Sequence, residues 1–309
     1  MNTRFIAPLA LAASVLGWGL SPIFIRYLSG SFDAYTLTFI RYGVSALVLA
    51  LLSAWFFPRG LAQTRQEWPG LLQLAAINVV MQTLWTIACY ETTATTAQLI
   101  TKSETLFVII LSYIVFHEER RVIHHPLFLT CAALSMLGVI GIMIPDPRMS
   151  LIPTVDTAFF MLLSVSILWS FYAVRGKQIA QRMHPIPMFT MAAVFSTAGF
   201  GMLTLALGEP GALTGAPPRD LLLAAASGLL PIAVAHCAYH FAQLHLGAAF
   251  CITMMLCNPL FTHLIALALW DDEAMSWTQW TGASMLVIGS IGVIQAQRIA
   301  SALTPAQDP

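Results

Sequence analysis

Three charged side chains stand inside apolar sequence away from the ends of its runs: Arg41 in a run near 34–57, and Lys102 and Glu104 in a run near 94–116. A charge at mid-membrane costs about 2.5–3.5 kcal/mol on insertion scales, so such residues face a cavity or a partner. Lys102 and Glu104 are two positions apart, about 200° around a helix, and a continuous helix keeps them from pairing. Arg41 is then the available partner for Glu104, which leaves Lys102 as a cation without a counter-charge. Gln98 lies one turn before Lys102 on the same helical face, and the two form a positive, hydrogen-bonding stripe suited to a carboxylate. Two readings stay open. Either Lys102 binds an anionic substrate group and Glu104 carries a proton, or Arg41 and Glu104 lock two helices while Lys102 snorkels to an interface.

Other polar residues recur at helical spacing. Asn78 and Gln82 are four apart and share a face, with Trp85 close by. In lipid such amides either join helices, at about 0.6–2 kcal/mol per contact, or line an aqueous path. Trp18, Trp85, Trp169 and Tyr239 are candidate aromatic walls, against the commoner use of such residues as packing or interface anchors. His236 and His240 lie one turn apart after Pro231, which is expected to kink its helix. Two such histidines could titrate in a cavity or bind a metal with Cys237 and His263. No acidic third ligand is evident and Cys237 points about 100° away, so no metal or other cofactor is expected. Asn258-Pro259 interrupts the backbone ladder of a further run and opens carbonyls to a cavity.

The elements that position these residues follow from composition. Only 9% of the 309 residues are charged and 58% are hydrophobic. A soluble domain carries about 25% charge, so this chain lacks the polar surface to fold in water. Net charge is zero with no basic run, which excludes nucleic acid as a partner. Apolar runs fall near 5–27, 34–57, 70–90, 94–116, 126–144, 157–174, 187–207, 221–243, 247–270 and 276–297, bounded by breakers such as Pro58-Arg59-Gly60 and Pro145-Asp146-Pro147. About 20 apolar residues span a bilayer, and period-two alternation is absent. The expected class is therefore an all-α polytopic membrane protein with ten transmembrane helices.

Arg4 followed by Leu9-Ala10-Leu11-Ala12-Ala13 is similar to a secretory signal, but the apolar run continues to Tyr27, so a retained first helix is expected. With a cytoplasmic N-terminus, nine of the 14 Lys and Arg fall in inside segments and three in outside ones. That bias puts both termini inside a cell inner or plasma membrane. The five cysteines (Cys89, Cys131, Cys237, Cys251, Cys257) all lie in apolar runs and read as small packing residues. The charged turns His117-Glu118-Glu119-Arg120-Arg121 and Asp271-Asp272-Glu273 read as solvated helix ends.

The chain repeats. An offset of 154 aligns Leu106-Phe107 with Leu260-Phe261, Glu119 with Glu273, Ala94 with Ala248 and Gly138-Val139-Ile140 with Gly292-Val293-Ile294; an offset of 151 lays Trp18 on Trp169. The unit holds five spans, and an odd number runs the second copy through the bilayer opposite to the first.

On these residues the chain resembles the EamA-type branch of the drug/metabolite transporter superfamily. The resemblance rests on Gly17-Trp18-Gly19, Arg41-Tyr42, Glu119-Arg120, Asn258-Pro259-Leu260-Phe261, Glu273, Gly282 and Gly289. It covers about residues 5–298 as two repeats, 5–145 and 156–298. The family pattern has a proline in span four where Thr105 stands, and a glycine early in span five where Phe128 or Cys131 stands. The resemblance implies a cavity lined by spans 1, 3, 4, 6, 8 and 9, and efflux of amino acids, drugs or other metabolites.

No nucleotide-binding loop is present, so the expected function is secondary transport by alternating access, exporting a small metabolite such as an amino acid, a related carboxylate or a drug-like compound. The alternative is a membrane-embedded enzyme using His236 and His240 or Glu118 and Glu119. It lacks a G-x-S-x-G or H-E-x-x-H cluster, so no catalytic residues are assigned. Expected partners are a small-molecule substrate and the lipid bilayer, with a homodimer left open. Beside Lys102, the substrate-binding candidates are Gln98, Asn78, Gln82, Trp85, Trp18, Trp169, His236, His240 and Asn258.

Overall fold

The computed structural model describes residues 3–115, 126–144, 155–246, 251 and 254–302. Glu118, Glu119 and the rest of that charged turn lie outside the described residues. All regular structure among them is helical: α1 (Thr3–Leu28), α2 (Ala34–Phe56), α3 (Pro58–Gln63), α4 (Trp68–Glu91), α5 (Ala94–Thr101), α6 (Glu104–Val115), α7 (Pro126–Ile142), α8 (Thr157–Ala180), α9 (Pro185–Leu207), α10 (Ala212–Gly215), α11 (Pro218–Gly228), α12 (Ala235–Leu246), α13 (Asn258–Leu267) and α14 (Trp277–Ala302). Prolines open α3, α4, α9, α11 and α13, where their missing N–H costs nothing.

Among the described residues, six helices are long and apolar enough to cross a bilayer: Ile6–Leu28, Ala34–Phe56, Trp68–Glu91, Thr157–Ala180, Pro185–Leu207 and Pro218–Ala242. The first runs well past Ala13. α5–α6, α7, α13 and α14 lie over the four remaining expected spans, for which the count of ten rests on the apolar periodicity. Burial follows the logic of lipid rather than water. Leu47, Leu51, Leu205, Leu222 and Trp55 are exposed, while Ser14, Thr36, Thr38, Ser45, Ser53 and Thr86 are buried. Lipid tails are as apolar as leucine, so helices associate through close packing and interhelical hydrogen bonds instead.

The chain forms two compact units, and neither is a sequence half. Unit 1 joins Met1–Gln98 to Arg175–Glu273, and unit 2 joins Leu99–Val174 to Ala274–Pro309. In unit 1 the antiparallel pair α2 and α9 is bonded by Ser53 and Thr190 at 2.7 Å. α4 joins through the bond of Thr38 to Thr86 at 2.9 Å. Asn78 completes this set: its carbonyl accepts from the Tyr42 hydroxyl at 3.1 Å and its amide donates to Ser196 Oγ at 3.0 Å. In unit 2, α7 packs against α14 along small residues. An added Cβ on Gly138 would meet the Leu286 nitrogen at 2.5 Å and the Gly282 carbonyl at 2.6 Å.

Both pairs join a helix to its own repeat counterpart. The contacts of Gly138 with Leu286 and of Gly289 with Ser135 exchange under an offset of 151, as do those of Gly141 with Gly282 and of Gly292 with Cys131. The register of this pair is therefore 151, which corrects the alignment of Gly138 with Gly292 at 154. It also identifies Cys131 as the equivalent of Gly282; its thiol sits over Gly292, which has no side chain to clash.

The ends of α2 and α9 cap one another under the same offset. Asp33 Oδ1 accepts from the Tyr35 and Thr36 amides at 2.9 and 3.0 Å, and its Oδ2 accepts from Glu209 N, at the far end of α9, at 2.9 Å. At the other end His184 Nδ1 accepts from Ile186 N at 3.3 Å, and its ring stacks on Phe57 at the end of α2.

Spans four and eight depart from regular α-helix. Span four breaks at Lys102-Ser103, where backbone bonds shorten to three-residue reach from Lys102 N to Leu99 O and from Leu106 N to Ser103 O. Span eight passes through a π-helical turn, Leu229–Val234, around Pro231. Widening the turn is one way a helix absorbs the missing proline N–H.

Two predictions follow from this packing. Burial pushes the Asp33 carboxyl up, but hydrogen bonds from Thr36, Glu209 and Tyr35 outweigh it and hold the group below its ordinary 3.8. A depressed carboxylate contributes stability above that ordinary value, lost as pH falls through the lower folded one. Asp33→Ala should cost about 1 kcal/mol at neutral pH and flatten the acid side of a melting-temperature profile in detergent; an unchanged slope would remove the cap from the account. Gly138→Ala gains up to about 1 kcal/mol of helix propensity, yet should lower the melting temperature because the new methyl meets backbone.

Candidate functional site

Within unit 1, three helices reach the same place because each has surrendered part of its backbone regularity. Pro22 in α1 has no N–H to offer Trp18 O, its normal partner one turn back. That freed carbonyl accepts from Gln98 Nε2, on α5, at 3.3 Å. The neighbouring Gly19 carbonyl accepts from Thr262 Oγ1, on α13, at 2.7 Å. Gly17 packs on Ala235 and the Leu230 carbonyl, and Gly19 on the Asn258 carbonyl and Phe261. A Cβ at 17 would meet Ala235 at 2.9 Å and push α1 away, whereas one at 19 would make ordinary contact, so Gly17 is the residue that lets α1 lie against α12. Ser14 Oγ, one turn earlier, bonds the Ala235 carbonyl at 3.0 Å.

Trp18 meets an aromatic cluster. Its ring lies edge-on to His236 and tilted against Tyr239, both at 5.0 Å between centroids. His236 stacks flat on Phe189 of α9 at 4.3 Å. His236 Nδ1 lies 2.8 Å from the Ile232 carbonyl and 3.4 Å from Trp18 Nε1. These are exclusive: a nitrogen that donates to a carbonyl cannot accept from an indole. The shorter contact, to a group that only accepts, favours the proton on Nδ1. Nε2 is then the acceptor nitrogen of that ring. Tyr239 lies 6.1 Å from His240. This arrangement can stack a flat or apolar body and hydrogen-bond its polar edge.

The other expected residues divide. Asn258 opens α13, buried, and its Oδ1 has no hydrogen-bond partner among the described residues. Asn78 is taken up joining α2, α4 and α9, which is the packing reading of its face; Gln82 is half-buried and Trp85 buried in the same helix. Trp169 lies in unit 2, half-buried and stacked on Tyr172 at 5.7 Å. Lys102 and Glu104 belong to unit 2.

The charges pair differently from expectation. Lys102 Nζ lies 3.5 Å from Glu104 Oε1. The break at Lys102-Ser103 removes the 200° separation that made this pair impossible on an ideal helix. Glu104 therefore has its cation beside it, and Arg41 does not serve as its partner. Arg41, 1% exposed, donates from Nη2 to Ser21 Oγ at 2.7 Å, while its Nε and Nη1 have no partner among the described residues. Of Arg41 and Lys102, the cation without a counter-charge among the described residues is Arg41.

Glu273 departs furthest from its sequence reading. It is not solvated but 2% exposed. Its carboxylate pairs with Arg26 at the end of α1 and accepts from the first amides of α5, Ala94 N at 2.7 Å and Thr95 N at 3.1 Å. A carboxylate at a helix N-terminus satisfies orphan donors and meets the positive end of the dipole. Arg26 also bonds Asp272 at 2.6 Å and lies over the Trp270 ring. An Arg ending one span and a Glu ending another were both visible in sequence; their convergence was not. Glu273→Ala should speed amide exchange at residues 94–97 markedly, and Glu273→Gln less, since the amide oxygen still accepts. Unchanged exchange would mean that the cap contributes nothing.

The histidine pair gathers no metal set, and the described residues contain no group of three His, Cys, Asp or Glu at ligand spacing. Comparison with known proteins agrees with the repeat. A family model described as the EamA-like transporter family matches residues 5–144 and again 156–295. No curated protein matches the chain. A solved structure titled only as a crystal structure of a protein superposes with a TM-score of 0.66 at 16% identity, over 93% of this chain and 96% of the other. At that identity the likeness concerns the fold alone.

Proposed function

This chain belongs to the EamA-like transporter family, of the drug/metabolite transporter superfamily, and we propose that it exports a small metabolite across the cell inner membrane by alternating access. One observation carries the reading. The two-residue break at Lys102-Ser103 in the first repeat recurs at Leu256-Cys257 in the second, 154 residues on. Paired interruptions at corresponding points of two inverted repeats mark the cargo site in secondary transporters. They expose half-helix ends where ions and polar groups bind. In the second repeat Pro259 enforces the restart; in the first, Thr105 stands at that position and the break forms without a proline.

On this reading Trp18, Gln98, His236, Tyr239 and Asn258 hold the cargo, and both termini face the cytoplasm. Glu104, half-buried beside Lys102 at the first break, carries the coupling proton. Export driven by a proton gradient needs a group that gains and loses a proton in each cycle, and a carboxylate with a single adjacent cation is suited to that.

The test is flux. Purified protein in proteoliposomes should move a cargo, found by comparing metabolites in medium from cells with and without the protein, at a rate that follows an imposed pH gradient. Glu104→Gln should leave gradient-independent exchange near wild type and remove the response to pH. Trp18→Leu should slow both about ten-fold or more. A pH response that survives Glu104→Gln would take the proton from this residue. Flux unchanged after collapse of pH and voltage gradients would leave exchange or facilitation.

A further inference from the structure

Arg41 raises a problem that the fold does not solve by itself. A guanidinium carries five N–H donors, and here one is given to Ser21 while Nε and Nη1 have no partner among the described residues. Among the described residues no carboxylate lies within ion-pair distance of it. Gly228 of α11 packs directly on the Arg41 backbone carbonyl, which fixes the start of the side chain. Removing a cation from water without a counter-charge costs several kcal/mol. Such a group persists in a membrane span when something anionic satisfies it during the working cycle.

We propose that Arg41 and Ser21 form an anion subsite, and that the cargo is an organic monocarboxylate with an apolar body. This rests on the transport reading above. The fork of Nη2 with Nε and that of Nη2 with Nη1 each suit the two oxygens of a carboxylate. Ser21 occupies one Nη2 hydrogen, so one complete fork stays open. Ser21 and Trp18 are three residues apart on α1 and so adjacent on one face, with Cβ atoms about 5–6 Å apart. Both are half-buried, and the Trp18 ring meets Tyr239 and His236. The cation and the aromatic cluster thus lie one helical turn apart, the reach of a molecule with a carboxylate at one end and an apolar or aromatic body at the other. In this conformation Arg41 is closed off, so the anion reaches it when α1 shifts from α2.

The assignment moves the anion ligand from Lys102, whose charge is balanced by Glu104, to a residue on a different helix. Isothermal titration of the full chain in nanodiscs would test it with two acids, hexanoate and phenylacetate, against their uncharged amides. At least one acid should bind at least about ten-fold tighter than its amide. Arg41→Gln should abolish that preference. Ser21→Ala, which removes only one hydroxyl, should weaken the acid several-fold and leave the amide unchanged, and it serves if the Arg41 variant does not fold. Equal affinity for acid and amide, a preference that survives Arg41→Gln, a preference undiminished in Ser21→Ala, or no acid binding up to about 10 mM would each overturn the proposal. Flux of a neutral cargo without any anion preference would overturn this inference and leave transport standing; anion preference without flux would do the reverse.

Discussion

A helix in hydrocarbon that gives up a backbone hydrogen bond has no water to replace it, so every interruption must be met by a named group. Pro22 frees the Trp18 carbonyl and Gln98 takes it. The start of α5 leaves amides free and Glu273, from a distant turn, accepts from two of them. Pro231 is absorbed by a π turn. Polar side chains in this protein are therefore placed by backbone irregularities, and the irregularities gather where α1, α5, α12 and α13 meet. That coincidence makes a region of unit 1 chemically capable in a chain with so little charge.

The repeat supplies a frame in which the two copies solve equal positions by different chemistry. α2 and α9 each receive a cap that reaches the other's far end, but one is the carboxylate of Asp33 and the other the imidazole of His184. α7 and α14 touch through Gly282 in one copy and Cys131 in the other, with Gly292 giving way to the thiol. The break in α5–α6 lacks the proline of its counterpart and carries an ion pair instead. Packing each helix against its own counterpart tolerates such substitutions, because a contact changed on one side is met by a different residue on the other rather than by itself.

Much of this was legible in the sequence. Length, low charge and apolar runs set the class, and Asn258-Pro259 marked the interruption in span nine. Trp18, Gln98, His236 and Asn258 were singled out by being polar or aromatic in lipid, and the structure brings them to neighbouring backbone. Pro22, four residues after Trp18, was a readable sign that the Trp18 carbonyl needed a donor. Other readings failed for one physical reason: they assumed an ideal helix or a solvated loop. On an ideal helix Lys102 and Glu104 diverge; at a break they meet. In a loop Glu273 is solvated; folded back, it is buried under Arg26 and the start of α5.

What the sequence determined alone is the solvent: with 58% hydrophobic and 9% charged residues, the chain had to fold in lipid, as helices, in two related halves. The tertiary structure decided which charges have partners. Hydropathy and period are local properties, summed over about 20 neighbouring residues, and they survive any arrangement of the helices. Ion pairs and caps depend on distances of about 3 Å between residues far apart in the chain, such as Ala94 and Glu273 or Ser21 and Arg41. No local pattern encodes those distances; they follow from how closely glycine, serine and proline let one backbone approach another.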